Sequence, residues 1–200
     1  MTATNAGDAE STPQARPAPL PRIFIGLKIA PEIAAQLTEF AAGLERPSAR
    51  PVAATDIHLT LVPPWNERSI EDAIDKLGRV AAGFGAFTLT FQHVGYGPQP
   101  RRPRLLWADC AASDEITALH AALIDAFGQT EKRDFQPHVT VARIRDNAPA
   151  VARKHPIDQA LALTQRIETV ELFQSPPPGE RGYKILASLP LGKAAASPSS

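Results

Sequence analysis

The chain has too little cysteine and too little net charge for several classes of protein. Its 200 residues contain one cysteine, Cys110, which excludes an internal disulfide and a metal site built from several cysteines. Lys and Arg together number 21, as do Asp and Glu, so the strong basic excess of a protein that coats duplex nucleic acid is absent. A small or single-stranded anionic substrate, held at one local site, remains compatible with this balance.

Signals for a membrane or for secretion are missing as well. No apolar run approaches membrane-spanning length, and the N-terminus has neither the basic start nor the apolar core of a signal peptide. We therefore expect a cytoplasmic protein. Residues 1–20 and 193–200 are rich in small residues and proline without periodicity, so we predict disordered tails around one folded domain at 21–192.

The motifs of several enzyme classes are also absent. The sequence has no Gly-x-Ser-x-Gly elbow and no glycine-rich phosphate loop with Lys-Ser/Thr, and "GYGPQP" lacks the third glycine of a dinucleotide-binding fingerprint. A zinc site would need a third and usually a fourth ligand, for which we find no clear candidate. We expect neither a metal nor another cofactor.

Apolar periodicity predicts alternating strands and helices along the folded part. Ser69 and Ser113 stand at helix starts, and Gly128 stands at a helix end. Helices are predicted at 31–44, 69–84 and 113–128, with a weaker short one at 149–162. The predicted strands are 22–29, 56–62, 86–94, 104–110, 137–143, 166–175 and 182–191, with a loop at 95–103.

This order of elements occurs twice with similar spacing. Arg22 opens a strand 36 residues before His58, and Arg104 opens one 34 residues before His138. Phe87, in the next predicted strand, follows His58 by 29 residues, and Ile167 follows His138 by 29 residues in the same way. The spacing predicts a duplicated α+β unit: two lobes of antiparallel sheet with flanking helices, packed about a pseudo-two-fold axis around a central cleft.

Two of the predicted strands carry the same motif, His-x-Thr, in "DIHLTLV" and "PHVTVAR". Side chains alternate faces along a strand, so His58 and Thr60 share one face, as do His138 and Thr140. The residues between them are apolar and face the core. If both exposed faces meet in one cleft, the site holds two imidazoles and two hydroxyl donors.

Such a set suits cleavage of a phosphodiester. One imidazole takes a proton from the nucleophile while the other gives a proton to the leaving oxygen. Threonine hydroxyls can donate to the non-bridging oxygens, and Arg143 could add a guanidinium. Arg143 lies five residues after His138, so it shares that face only if the strand departs from regular alternation. The alternative interpretation is two structural histidines, hydrogen-bonded at a sheet edge.

Three further residues have two interpretations each. Phe24 could face the cleft and stack a base, or it could be another apolar contact of the core. Trp65 could anchor a loop or stack a base. His120 lies on the apolar side of its predicted helix, which favours a place in the core.

At these residues the sequence resembles the 2H phosphoesterases, and within them the LigT-like RNA 2′,3′-cyclic phosphodiesterases, historically called 2′-5′ RNA ligases. The resemblance covers about 22–190, through "RIFIGLKIAPEI", "RPVAATDIHLTL", "RLLWADC", "FQPHVTVAR" and "VELFQSPPPGERGYKIL". Many members of the family continue after the first motif with a Phe-Leu-Gly type of turn. Here Val62-Pro63-Pro64-Trp65 stands in its place, so we expect a different rim of the substrate site, whose effect the sequence does not tell.

The resemblance implies a bilobal fold and metal-independent hydrolysis of 2′,3′-cyclic phosphate ends of RNA or nucleotides to 2′-phosphomonoesters. It implies that His138 activates water, that His58 protonates the leaving 3′ oxygen, and that Thr60, Thr140 and Arg143 hold the phosphate. The residues alone do not assign acid and base. We expect a monomer. Two other functions stay open: a non-catalytic nucleotide- or RNA-binding module, and a cyclic phosphodiesterase for a small molecule other than RNA.

Overall fold

The computed structural model describes residues 19–44, 48–99, 102–131, 133–145 and 147–192. Within them the chain forms a large sheet and flanking helices. The strands are β1 Arg22–Lys28, β2 Ala49–Pro51, β3 His58–Asn66, β4 Phe87–Gly97, β5 Leu105–Cys110, β6 His138–Ile144, β7 Asp158–Ile167, β8 Thr169–Gln174 and β9 Lys184–Pro190. The helices are α1 Pro31–Glu39, α2 Ile70–Ala81, α3 Asp114–Ala126 and α4 Ala148–Lys154, with a short 3-10 turn at Ala54–Asp56.

The sheet consists of two four-stranded halves that meet at the two motif strands. Its strand order is β7-β4-β5-β6-β3-β1-β8-β9, with β2 beside β6, and the named strands pair antiparallel. Between the halves, one ladder pair joins β3 to β6, Leu59 with Val139. This arrangement confirms the prediction of an α+β fold with two antiparallel lobes.

The two halves of the sequence exchange strands. β1 of the first half pairs with β8 of the second half, while β5 of the second half pairs with β4 of the first. Each lobe thus has a motif strand, the opening strand of the same half, and a strand from the other half. The chain spacing predicted equivalent strands, but it carried no information about this exchange.

Local sequence accounts for the ends of the two longer helices. The Ser69 hydroxyl accepts from the Asp72 N–H at 3.2 Å, as the capping pattern predicted. At the end of α3, Gly128 has φ of 59°, and the Gly128 and Gln129 N–H groups donate to the carbonyls of Asp125 and Ile124. These two bonds form a Schellman motif, which requires a left-handed residue that glycine supplies without strain.

Two element predictions were wrong in part. Residues 149–162 were expected to form one short helix, but α4 ends at Lys154 and β7 begins at Asp158. β7 is an edge strand along β4, and only Ile167 of its ten residues is fully buried. A strand with so little buried surface has a weak alternation signal, so pairing with β4 decides its conformation. The predicted loop at 95–103 also overlaps β4, which continues to Gly97.

The helices of the described residues include none long and apolar enough to cross a membrane. The predicted tails at 1–20 and 193–200 lie almost wholly outside the described residues, so disorder there stays a prediction.

Close approach of β1 to β3 requires a glycine. A Cβ on Gly26 would lie 2.5 Å from the carbonyl oxygen of Leu59, an approach that real Cβ atoms essentially never make. Because Leu59 is the middle residue of the first motif, a side chain here would push the motif strand away from β1. Gly26 is therefore part of what positions His58 and Thr60.

We expect Gly26→Ala to destabilise the protein by about 1–3 kcal/mol through overpacking. Gly43→Ala is the matched control, because a Cβ there would meet no atom closer than His155 Nδ1 at 4.0 Å. Urea unfolding midpoints of the two variants and the wild type provide the comparison. Equal stability of both variants would show that β1 and β3 tolerate separation at this point.

Candidate active site

The two His-x-Thr motifs lie side by side at the junction of the lobes. Leu59 and Val139, the middle residues of the motifs, form the ladder pair and are both fully buried. Since β3 and β6 are antiparallel, this register places His58 across from Thr140 and Thr60 across from His138. All four motif side chains are therefore on the opposite face from the buried pair, with the histidines at diagonal corners.

A β-bulge brings Arg143 to the same face. Along β6, Trp107 pairs with Thr140 but the next residue, Leu106, pairs with Ala142, so β6 has one extra residue there. Val141 and Ala142 are consecutively buried, and Arg143 is exposed. The extra residue reverses the alternation, which is the departure from a regular strand that the sequence spacing required.

The same bulge occurs in the first motif strand. Gly26 pairs with Thr60 and Ile25 pairs with Val62, and Leu61 and Val62 are consecutively buried. The residue equivalent to Arg143 is thus Pro63. The pairing register of β1 with β3 shifts a second time between Ile25 and Ile23, and Pro63 and Pro64 lie at this shift. Bulges of this kind are where a strand tolerates proline.

Both histidines are held by the same backbone contact. His58 Nδ1 lies 2.7 Å from the carbonyl oxygen of Asp56, and His138 Nδ1 lies 2.7 Å from that of Gln136. A carbonyl can only accept, so Nδ1 carries the proton and donates in each ring. Nε2 is then the nitrogen that gains or loses a proton, and it has no protein partner among the described residues.

His58 has an aromatic environment. Its ring lies 4.8 Å from the ring of Phe24, 5.4 Å from Phe173 and 4.8 Å from Tyr183, measured between centroids. Burial lowers the pKa of His58, and the positive charge of Arg143 lowers it further, against the opposing effect of the Asp56 carbonyl. The neutral imidazole is therefore the favoured form of His58 in the free protein.

His138 has a different environment. Its ring packs against Trp107 at 4.5 Å, and on the neighbouring strand it pairs with Asp109. Burial raises the pKa of Asp109, and the charges of His93 and His138 oppose that shift. His93 Nδ1 lies 3.8 Å from Asp109, and its Nε2 contacts Asp158. Carboxylate and imidazole side chains thus alternate across four strands, from Asp158 to His138.

The base-stacking prediction for Phe24 is wrong. Its side chain is 1% exposed, stacks on Phe173 at 4.8 Å with 5° between the ring planes, and meets the edge of Tyr183. Neither face of the ring is open to a base. Phe24 is instead part of the aromatic layer against which His58 packs, so it can only act on the site through that histidine.

The site residues line one cavity of about 360 Å³, the inner cavity. His58, Thr60, His138, Thr140 and Arg143 all contribute to its wall, so every catalytic or phosphate-holding residue predicted from the motifs is in one place. Other polar residues line the inner cavity as well, and nothing in the sequence indicated that they would belong to the site. They are Arg50, Asp56, Glu180, Arg181 and Tyr183.

Tyr183 is the clearest of these omissions. It is half-buried, lines the inner cavity and lies edge-on to His58. Its backbone N–H donates to Asp56 Oδ1 at 3.2 Å, which joins the segment before β9 to the turn that holds His58. An aromatic residue beside Gly182 was visible in the sequence, but a contact across 127 residues was not.

His120 contacts the chain segments of both motifs from within the protein. As predicted, it is buried, on α3. Its Nδ1 donates to the Leu61 carbonyl in the first bulge at 2.8 Å, and its ring stacks on Phe135 at 3.8 Å. Its Nε2 is 3.4 Å from Glu131, in the segment that leads to His138. Trp65, by contrast, is an anchor that donates to Glu67 at 2.9 Å and packs on Phe127.

Comparison with known proteins agrees with this geometry. A sequence model of the 2′-5′ RNA ligase superfamily matches residues 28–175. The chain belongs to the 2′-5′ RNA ligase superfamily. That match covers both motif strands and both of the backbone carbonyls that hold the histidines.

Two curated members of the superfamily match most of the chain. An RNA 2′,3′-cyclic phosphodiesterase of Thermotoga maritima is 27% identical over 131 residues, which is 62% of this chain and 70% of that protein. One of Archaeoglobus fulgidus is 26% identical over 137 residues, or 66% of this chain and 77% of that protein.

Solved structures share the fold of this chain. Escherichia coli LigT complexed with 3′-AMP aligns over 86% of this chain and 98% of its own, with a TM-score of 0.67 and 25% identity. A protein of Thermus thermophilus aligns over 87% of this chain and all of its own, with a TM-score of 0.72 and 23% identity. The second likeness concerns the fold alone.

We expect His120→Leu to lower the free energy of unfolding by about 1–3 kcal/mol, because the buried Leu61 carbonyl would lose its donor. Urea unfolding measures the loss. Thr38→Ala is the control, since it removes a side-chain hydrogen bond on an exposed part of α1 and should change stability by about 0.5 kcal/mol or less. An unfolding midpoint for His120→Leu equal to that of the control would mean that the Leu61 carbonyl finds another donor.

Proposed function

We propose that the protein hydrolyses 2′,3′-cyclic phosphate ends of RNA or nucleotides to 2′-phosphomonoesters. One observation carries this proposal. Two imidazoles line one cavity, each with Nδ1 tied to the carbonyl two residues before it and Nε2 left for the reaction. A site that only bound nucleotides would need no pair of proton-transfer groups. The names of the curated relatives support the same reaction.

The proposed step is an in-line displacement at phosphorus. Water attacks the cyclic phosphate and loses its proton to Nε2 of one histidine. The bond from phosphorus to the 3′ oxygen breaks, and that oxygen takes a proton from Nε2 of the other histidine. The product is a 2′-phosphomonoester with a free 3′ hydroxyl, so atoms and charges balance without any further reactant.

Thr60, Thr140 and Arg143 would stabilise the phosphate in this step. The hydroxyl groups can donate to the two non-bridging oxygens, and the guanidinium adds charge where the transition state gains it. No group of three or more His, Cys, Asp or Glu that could hold a metal ion occurs among the described residues. Metal independence, a monomeric state and a cytoplasmic location are parts of the proposal that need their own tests.

The assignment of acid and base has two candidates. The resemblance to the LigT-like enzymes implies that His138 is the base and His58 the acid. The lowered pKa of His58 favours the reverse, since a neutral imidazole can accept a proton at once. A bell-shaped pH profile would not separate them, because it reports the pKa values of the pair and not their roles.

We expect His58→Ala and His138→Ala each to lower kcat by at least about a hundredfold on a 2′,3′-cyclic mononucleotide, measured with a chelator present. Each variant loses one of the two proton transfers. Chelator-resistant turnover by the wild type is the reference, and His155→Ala is the control histidine because His155 does not line the inner cavity. Folded wild type that binds nucleotide without turnover would favour the non-catalytic binding module. Turnover confined to a cyclic phosphate other than those of nucleotides or RNA would favour the third function.

A substrate with sulfur in place of the 3′ oxygen would assign the roles. A thiolate leaves without a proton, so the variant that lacks the general acid should recover most of its rate on this substrate. Under the assignment from the resemblance, His58→Ala recovers and His138→Ala stays slow. Recovery of His138→Ala instead would make His58 the base, and recovery of neither would contradict a division into acid and base.

A further inference from the structure

A second and larger cavity opens from the inner cavity. It has a volume of about 1130 Å³, and we call it the arginine groove. It shares Arg50, Thr60, His138 and Arg143 with the wall of the inner cavity, so the two are joined at the site of the proposed reaction. A pocket for one small ligand is about 300–1000 Å³, so the combined space exceeds what a single cyclic nucleotide needs.

The arginine groove concentrates positive charge in a chain with no net charge. Five arginines and two carboxylates line it, an excess of three positive charges, against a formal charge of zero for the whole protein. The arginines are Arg50, Arg104, Arg133, Arg143 and Arg145. All five are exposed, and none has an Asp or Glu partner within ion-pair distance among the described residues.

This placement is unfavourable unless an anion is present. Side chains of like charge around one concavity repel each other, and the low-dielectric walls strengthen the field inside it. Of the two carboxylates in the groove, Glu131 lies 3.4 Å from His120 Nε2, so part of its charge is directed at that ring. A chain of phosphates would neutralise several of the arginines at once and release the counterions that otherwise cover them.

The chemistry of the substrate determines which part of an RNA can occupy the groove. A 2′,3′-cyclic phosphate can exist only at the 3′ end of a strand, so every further nucleotide lies on its 5′ side. With the cyclic phosphate between His58 and His138, the strand must leave the inner cavity through one of its openings. The arginine groove is the opening in which positive charge continues away from the histidines.

On this basis, and resting on the proposed function, we propose that the arginine groove binds the backbone phosphates of a single-stranded RNA on the 5′ side of its cyclic phosphate end. The contacts come from Arg104, Arg133 and Arg145, which line the groove but not the inner cavity. The large aromatic residues of the groove are partly covered: Trp107 is 7% exposed, and Phe135 stacks on His120. Charge therefore dominates over base stacking, and binding is independent of sequence.

The test compares a 2′,3′-cyclic mononucleotide with short RNA strands that end in the same cyclic phosphate. We expect a higher kcat/KM for the strands at low salt, with the difference lost as salt rises. For single strands, log K falls with log[salt] by about 0.7 for each phosphate contact, so each contact contributes roughly threefold between 50 and 200 mM salt.

Arg104→Gln, Arg133→Gln and Arg145→Gln, singly and combined, remove the contacts. We expect each to flatten the salt dependence of KM for the strands by about 0.7, so the ratio of variant to wild-type KM should be roughly threefold larger at 50 than at 200 mM salt, with mononucleotide turnover unchanged. The Arg→Lys variants keep the charge and should keep the salt dependence. Arg79→Gln on α2 is the matched control, because Arg79 is an exposed arginine that lines neither cavity.

Failure of the proposed function and failure of the proposed role of the arginine groove would give different results. Absence of cyclic mononucleotide turnover by folded wild type would contradict the proposed function, whatever the groove does. Mononucleotide turnover with no preference for strands, or a strand KM that the combined Gln variant shares with Arg79→Gln, would overturn the role of the arginine groove. Discrimination between strands of different sequence and equal length would overturn the backbone-only recognition.

Discussion

The contact between Leu59 and Val139 is the constraint on which the rest of the site depends. It is the one ladder pair between the two lobes within the described residues, and both side chains are fully buried. Because each is the middle residue of a His-x-Thr motif, burying this pair turns both histidines and both threonines to the other face. A shift of one residue in either strand would reverse that and place the imidazoles in the core. The face that carries both motifs is thus a consequence of how the two lobes are joined.

The bulges complete the site, and they also make it unsymmetrical. Each motif strand has an extra residue directly after its threonine, so the residue five positions after each histidine shares the histidine's face. In the second strand this residue is Arg143, whereas in the first it is Pro63, which has neither charge nor backbone donor. A pseudo-symmetric scaffold therefore provides a guanidinium from one half only, as suits a substrate with a single phosphate to be held.

The environments of the two histidines differ in the same way. Rings of Phe24, Phe173 and Tyr183 surround His58, while His138 has Trp107 and the Asp109 carboxylate as neighbours. Identical backbone hydrogen bonds give both rings the same tautomer. Burial among these rings lowers the pKa of His58, whereas His138 has a carboxyl group on the neighbouring strand. Two chemically equivalent motifs can in this way take different roles in one reaction.

The sequence by itself determined most of the strands and the two motifs, and it indicated the type of chemistry, because alternation and capping are local properties. His58, Thr60, His138 and Thr140 could be assigned to one face each from spacing alone, and the repeat of the spacing indicated two lobes. Arg143 could be named but not placed, since a bulge depends on the register of the neighbouring strand. The sequence left two interpretations of Phe24 open, because the three rings that cover it come from other segments of the chain.

Only the tertiary structure decided the exchange of β4 and β8, the edge strand β7, the links made by His120 and Tyr183, and the arginine groove. Each of these joins residues far apart in the chain, through hydrogen bonds, packing or charge that local propensity does not encode. In the sequence the arginines of the groove are spread over positions 50 to 145, and the total charge of the chain cancels. Folding gathers them at one opening, because β2, β5 and β6 bring their ends together there.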